Sequence, residues 1–210
     1  MRKKAVTTSF LLFLVLLVIG SLTIAADERL QAVRIVPDGN GALPVEALLQ
    51  TVSPYQYRLA PDLAVNFYAG YDQTNLYLGF QVEDSFLTFT DDFSLDFQGS
   101  DHLRVRFFSE GGPQSPVTLY LLPSSKIREP LLNIQGASWR QTSMAVRSFP
   151  APQGYFLAVT IELANFQLSP RLREIPLQIM VNQVNKEGKA KTYWLFGTGP
   201  QDYATLVLSR

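Results

Sequence analysis

The chain has 210 residues, with 18 Lys and Arg against 18 Asp and Glu, one histidine and no cysteine. Without cysteine there can be no disulfide, no thiol nucleophile and no thiolate metal site. The lack of a Lys/Arg cluster past the first four residues argues against nucleic acid as a partner, because its binding rests on neutralised phosphates.

Arg2, Lys3 and Lys4 precede the apolar run from Phe10 to Ile19, and Thr23 and Ala25 occupy the −3 and −1 places of a cleavage before Ala26. A basic head, an apolar middle and small residues at the exit specify a secretory signal. The 22 uncharged residues from Ala5 to Ala26 are also long enough for an uncleaved anchor, since about 20 apolar residues span a bilayer. Gly20, Ser21 and Thr23 weaken that second reading. The expectation is a leader over residues 1–25 and one exported domain over residues 26–210. Loss of the three leader cations from 18 leaves 15 against 18 acids, a net charge of about −3. An exported domain without disulfides or Asn-x-Ser/Thr sequons fits a bacterial periplasm or secretion from a bacterium.

In chain order, a first strand is expected over Gln31–Val36, then the turn Pro37-Asp38-Gly39-Asn40-Gly41 and a helical turn or two over Pro44–Gln50. Thr51–Pro61 reads as irregular. Strand signals then recur at Leu63–Tyr71, Leu76–Val82, Leu103–Phe108, Val117–Leu122, Leu131–Ile134, Ser143–Ser148, Tyr155–Glu162, Leu177–Val184, Thr192–Phe196 and Thr205–Leu208. Turn material such as Asp72-Gln73-Thr74, Gly111-Gly112-Pro113 and Pro150 to Gly154 separates them. One further helical candidate, Ala164–Leu172, is interrupted by Pro170. Many short strands and almost no amphipathic helix predict an all-β fold, an antiparallel two-sheet β-sandwich. Leu76, Leu78, Phe80 and Val82 fall on one face of their strand, and Tyr77, Gly79, Gln81 and Glu83 on the other. The core is expected to hold that first set together with Leu103, Val105, Phe107, Val159 and Ile161.

The order of these pieces resembles family 9 carbohydrate-binding modules over most of the exported chain. The resemblance is carried by Asp38-Gly39, the strand, turn and strand from Val65 to Asp84, and Phe97 before Gly99 and Asp101 with Ser100 inserted. It continues through Trp139, Gly154-Tyr155, Val181-Asn182, Trp194 and the closing strand Leu206 to Leu208. The chain departs from the pattern at Arg104, Ala158 and Gln183, where the family carries acids, and at Glu162, where it carries proline. The resemblance implies a non-catalytic module that clamps a sugar between Trp194 and Phe97, with Asp101 and Arg104 bonding hydroxyls. The implied partner is a carbohydrate or cell-envelope glycan, acting alone or beside a separately encoded membrane sensor or enzyme. The alternative is a protein-interaction or sensory domain that keeps the sandwich and has lost the sugar site.

Read from their residues alone, the same positions leave other options. Trp194 either offers a platform at a strand end or fills the core, whereas Trp139 suits a core or edge position. Arg104 and Arg106 share one strand face, which is either the solvated side of a half-covered sheet or, if concave, a cation pair for an acidic sugar. His102 has no second histidine for a zinc triad and no Gly-x-Ser-x-Gly elbow to serve. Glu83, Asp84, Asp91, Asp92 and Asp96 supply oxygen ligands, but their spacing is not that of a calcium loop and singles out no glycosidase pair. No cofactor is implied.

Overall fold

The computed structural model describes residues 28–36, 45–89, 99–109, 112–123, 131–135, 144–166, 168, 173–197, 199 and 202–209, with backbone only at 109, 112–115 and 131–135. Twelve strands are found among them. They are β1 (Glu28–Arg34), β2 (Tyr55–Ala60), β3 (Leu63–Tyr71), β4 (Asn75–Asp84), β5 (His102–Ser109) and β6 (Gly112–Leu122), then β7 (Leu131–Gln135), β8 (Met144–Ala151), β9 (Gly154–Glu162), β10 (Glu174–Val184), β11 (Ala190–Trp194) and β12 (Ala204–Leu208). One helix, α1 (Val45–Thr51), follows β1, and a single 3-10 turn at Leu163–Phe166 follows β9. That short turn replaces the longer helix expected up to Leu172; residues 169–172 lie outside the described residues.

The strands run in the order β7-β6-β5-β10-β12-β1-β3-β4-β9-β8, with β11 beside β10 and β2 beside β3. The expected all-β class is observed. The expectation of two wholly antiparallel sheets is corrected at β1, which pairs in parallel with β12 over Glu28–Ala32 and then with β3 over Val33 and Arg34. β1 thus passes from one layer to the other and joins them into a mixed, nearly closed sheet. A second correction concerns Thr51–Pro61, which contains β2. Tyr55, Tyr57 and Leu59 alternate there and pack against the core.

One core lies between the layer centred on β10 and the layer centred on β4. Leu103, Val105, Leu119, Ile179 and Leu206 meet Val65, Phe67, Leu78, Phe80 and Val159 in a single cluster. Every residue expected in the core is buried. The rings of Phe67 and Phe80 stack at 5.3 Å, and Phe196 meets Phe67 edge-on at 6.3 Å, geometries that add to simple area burial.

The second face of β4 is buried at Tyr77 and Gly79 and part-exposed at Gln81 and Glu83. Leu48 of α1 packs with Tyr68, Tyr77, Phe156 and Ala158, covering the middle of the outside of the β4 layer. The sheet lets the helix so close because Gly70 and Gly79 lack a Cβ. One built at Gly70 would stand 2.8 Å from Leu48 Cδ1, and one at Gly79 3.0 Å from Leu48 Cδ2.

Candidate functional site

Trp194 and Arg104, far apart in sequence, are brought to one surface by the pairing of β11, β10 and β5. Met180 is in register with Trp194 on one side and Arg104 on the other, and Arg104 is in register with Tyr120. Directly opposed residues of antiparallel strands share a face. Trp194, Met180, Arg104 and Tyr120 therefore form one row across four strands. In the adjacent row Gln178, Arg106 and Thr118 stand side by side. The alternate residues of the same strands point into the core, so this surface is the outer face of the β10 layer.

Trp194 does not fill the core. Tyr193 packs against the core cluster and Leu195 and Phe196 belong to it, while Trp194 lies half-buried on the other side. The chain then turns at Gly197, whose φ of 65° is left-handed. A Cβ there would meet Asp202 at 2.2 Å, so glycine is required for the chain to pass this close to Asp202. Gln178 fastens that loop by donating through Nε2 to the Asp202 carbonyl at 2.7 Å.

The two arginines rise from a closed floor. Met180, Gln178, Thr118 and Tyr120 are each at most 9% exposed, while Arg104 and Arg106 are half-buried. The Arg104 guanidinium lies 5.2 Å from the Tyr120 ring centroid, a cation–π contact. Arg106 Nη1 donates to Gln178 Oε1 at 3.5 Å, the long limit of a hydrogen bond. The Nε atoms of both arginines are buried and have no hydrogen-bond partner among the described residues. Burial lowers the Arg104 pKa; the Tyr120 side chain opposes this and the like charge of Arg106 adds to it. The guanidinium still stays charged at any physiological pH.

Asp101 and His102 hold the start of β5. The sequence expectation set Asp101 beside ligand hydroxyls, but its carboxylate is buried and committed to backbone. Oδ2 accepts from the Thr88 amide at 2.6 Å and Oδ1 from the Val184 amide at 2.7 Å. Burial pushes its pKa up to about 7, assisted by Asp84 and opposed by those two bonds. His102 is buried, with Nδ1 3.0 Å from the Ser100 carbonyl, which also accepts from Asn182 Nδ2 at 2.9 Å. Both residues act as scaffold. Phe97 and Trp139 lie outside the described residues, as do Asp91, Asp92 and Asp96.

A cleft of about 760 Å³ opens elsewhere, at the end of β4, lined among others by Arg58, Asp62, Glu83, Phe86 and Gln153. Asp84 also borders it and accepts from Phe86 N at 2.9 Å and Gln183 Nε2 at 3.0 Å. Among the described residues no three His, Asp or Glu side chains gather as metal ligands. The cleft joins neither Trp194 nor Arg104, and its acids are the less suitable platform: only Phe86 presents a large apolar surface, at 37% exposure.

Sequence reasoning found Trp194 and Arg104 but missed Met180, Gln178, Thr118 and Tyr120, which complete the surface. Their signal is the second set in each alternating strand: Gln178, Met180 and Asn182 against Leu177, Ile179 and Val181.

No protein-family model matches the chain, and no curated protein matches it in sequence. Solved structures do match its fold. A family 9 carbohydrate-binding module from Caldicellulosiruptor kristjanssonii in complex with cellotriose matches at a TM-score of 0.59 and 12% identity, covering 87% of this chain and 95% of that one. The same organism's module in complex with glucose matches at 0.57 and 12%, covering 87% and 96%. An inferred carbohydrate-binding protein from Bacteroides uniformis ATCC 8492 matches at 0.59 and 13%, covering 87% and 99%. The chain has the fold of family 9 carbohydrate-binding modules, and identities this low speak for fold alone.

Proposed function

We propose that the protein is an exported, non-catalytic carbohydrate-binding module that holds a sugar ring against Trp194, with Phe97 flanking it. The observation that carries the reading is the placement of Trp194. It is a half-buried indole off the core, in the same register row as Arg104 and at the edge of a closed polar floor. A sugar presents one apolar face to an aromatic ring and a rim of hydroxyls to polar neighbours. Arg104 supplies fork-shaped donors for that rim, and Thr192, in the row beside Trp194, supplies a hydroxyl. Support also comes from the fold shared with modules solved in complex with cellotriose and glucose. Export is part of the proposal, with residues 1–25 removed as a signal and the domain placed in a periplasm or outside the cell.

A glycan array followed by calorimetry on the purified exported protein tests the proposal. Trp194→Ala should reduce binding of an array hit to below detection while leaving the melting temperature within a few degrees of wild type. Retained affinity in a folded Trp194→Ala variant, or an empty array, would defeat the reading. Mass spectrometry of the amino terminus tests export, and a start at Ala26 or Asp27 is expected.

A further inference from the structure

Arg104 and Arg106 are a charge problem that the described part of the molecule does not solve. They sit two residues apart on β5, roughly 6.6 Å along the strand, and point the same way. Their cross-strand neighbours are Met180 and Tyr120 for Arg104, and Gln178 and Thr118 for Arg106. One strand further out come Trp194 on β11, opposite Met180, and Asn133 and Gln135 on β7, opposite Tyr120 and Thr118. Along β5 itself the same face carries His102 and Phe108. No carboxylate occupies any of these positions.

Two cations on a floor at most 9% exposed have lost much of their hydration. Guanidinium cannot shed its proton to escape that cost. Tyr120 compensates one of them in part through its ring, and Gln178 offers the other a single long bond. Like charges at this spacing, partly desolvated and with no ion pair among the described residues, repel each other. An external anion would relieve that repulsion, and the surrounding groups specify its shape. Arg104 lies two strands from Trp194, about 9.6 Å at the usual strand spacing. A ligand meeting both must be flat and partly apolar at one end and anionic at the other.

We infer that the outer face of the β10 layer takes acidic carbohydrate: a carboxylate-bearing sugar whose acid group is gripped by Arg104 and Arg106 while a ring rests on Trp194. The inference rests on the carbohydrate reading above and assigns its ligand class. Arg104 takes the carboxylate through two parallel N–H bonds, the geometry that a planar guanidinium matches and an ammonium does not. Arg106 either shares that carboxylate or engages a neighbouring acidic ring.

The experiment compares acidic glycans with their own carboxyl-reduced forms, so that only the charge changes. The purified protein is titrated with oligogalacturonate, oligo-alginate, glucuronate-containing and sialylated oligosaccharides, and with each after reduction to the neutral sugar. At least one acidic member should bind about tenfold or more tightly than its reduced form, as expected for gaining a charge-assisted hydrogen bond. That preference should shrink as salt rises. The double variant Arg104→Gln, Arg106→Gln should lose the preference and keep or raise its melting temperature, because it removes an uncompensated pair. Equal binding of acidic and neutral forms would overturn the inference while leaving the carbohydrate reading intact. Binding of no glycan in either form would defeat both. A double variant that melts well below wild type would show that the arginines serve the fold, which also overturns the inference.

Discussion

The two outer faces of the molecule are built from the same period-two strands and end up with opposite characters. Outside the β4 layer, α1 lays Leu48 onto Tyr68, Tyr77, Phe156 and Ala158, and two glycines let it approach. The middle of that face is covered from within the chain. Outside the β10 layer the floor is equally closed, yet two half-buried guanidiniums and a half-buried indole stand on it, with two guanidinium Nε atoms lacking a partner among the described residues. The difference teaches where to look for function: the β4 face leaves one hydroxyl, Thr160 Oγ1, and the exposed Phe149 ring, while the β10 face leaves two cations beside an indole.

The largest effect should come from the core that both layers share and is independent of either outer face. Phe80→Ala empties a fully buried site and should cost about 3–5 kcal/mol in chemical denaturation. An unchanged midpoint would mean that the shared core is misplaced. Next comes the face covered by α1. Leu48→Ala should cost about 2–4 kcal/mol, since it removes the side chain that joins α1 to the sheet, and glycan affinity should not change. If this variant instead abolished binding at full stability, the contrast between the faces would be reversed.

A smaller effect is expected at the scaffold that supports the binding face. Asp101 has a folded pKa raised to about 7, mainly by burial. The folded state therefore keeps a proton that the unfolded chain releases near pH 4. The contribution is complete below that pH and is lost as pH rises through about 7. The melting temperature should fall between pH 5 and pH 8, and Asp101→Asn should flatten that slope. A wild-type melting temperature that rises over this interval, or an Asp101→Asn slope equal to wild type, would remove Asp101 as the cause.

The sequence was a good guide to strands and a weaker one to how they meet. β3 is visible as Leu63–Tyr71 because alternating apolar residues run between a turn at Asp62 and the Asp72 turn, where Asp72 Oδ1 accepts from the Thr74 and Asn75 amides at 2.7 Å each. β2 escaped notice because Pro54 and Pro61 frame it and hide the alternation of Tyr55, Tyr57 and Leu59. The sheet-switching role of β1 depends on partners at positions 70 and 204, which no local pattern reports. Burial of Tyr77 was also hidden, since it depends on a helix placed 26 residues or more upstream. The site divides in the same way. Trp194 and Arg104 stand out by residue type, but their common row exists only through the registers of β10 with β11 and β5. Asp101 was a ligand contact only through the family resemblance, which reports nothing of the two backbone amides that claim it.

The most direct test of the central claim is to map where a glycan touches. The tightest binder from the array is titrated into isotope-labelled protein while the Trp194 indole N–H, the Arg104 and Arg106 Nε–H and the backbone amides are followed by NMR. The account predicts that the Trp194 and arginine side-chain signals and the amides of β5, β10 and β11 around them shift together, with those of Leu48, Tyr77 and Phe156 unmoved. Shifts confined to the cleft around Asp62, Phe86 and Gln153, with Trp194 and Arg104 unaffected, would contradict it.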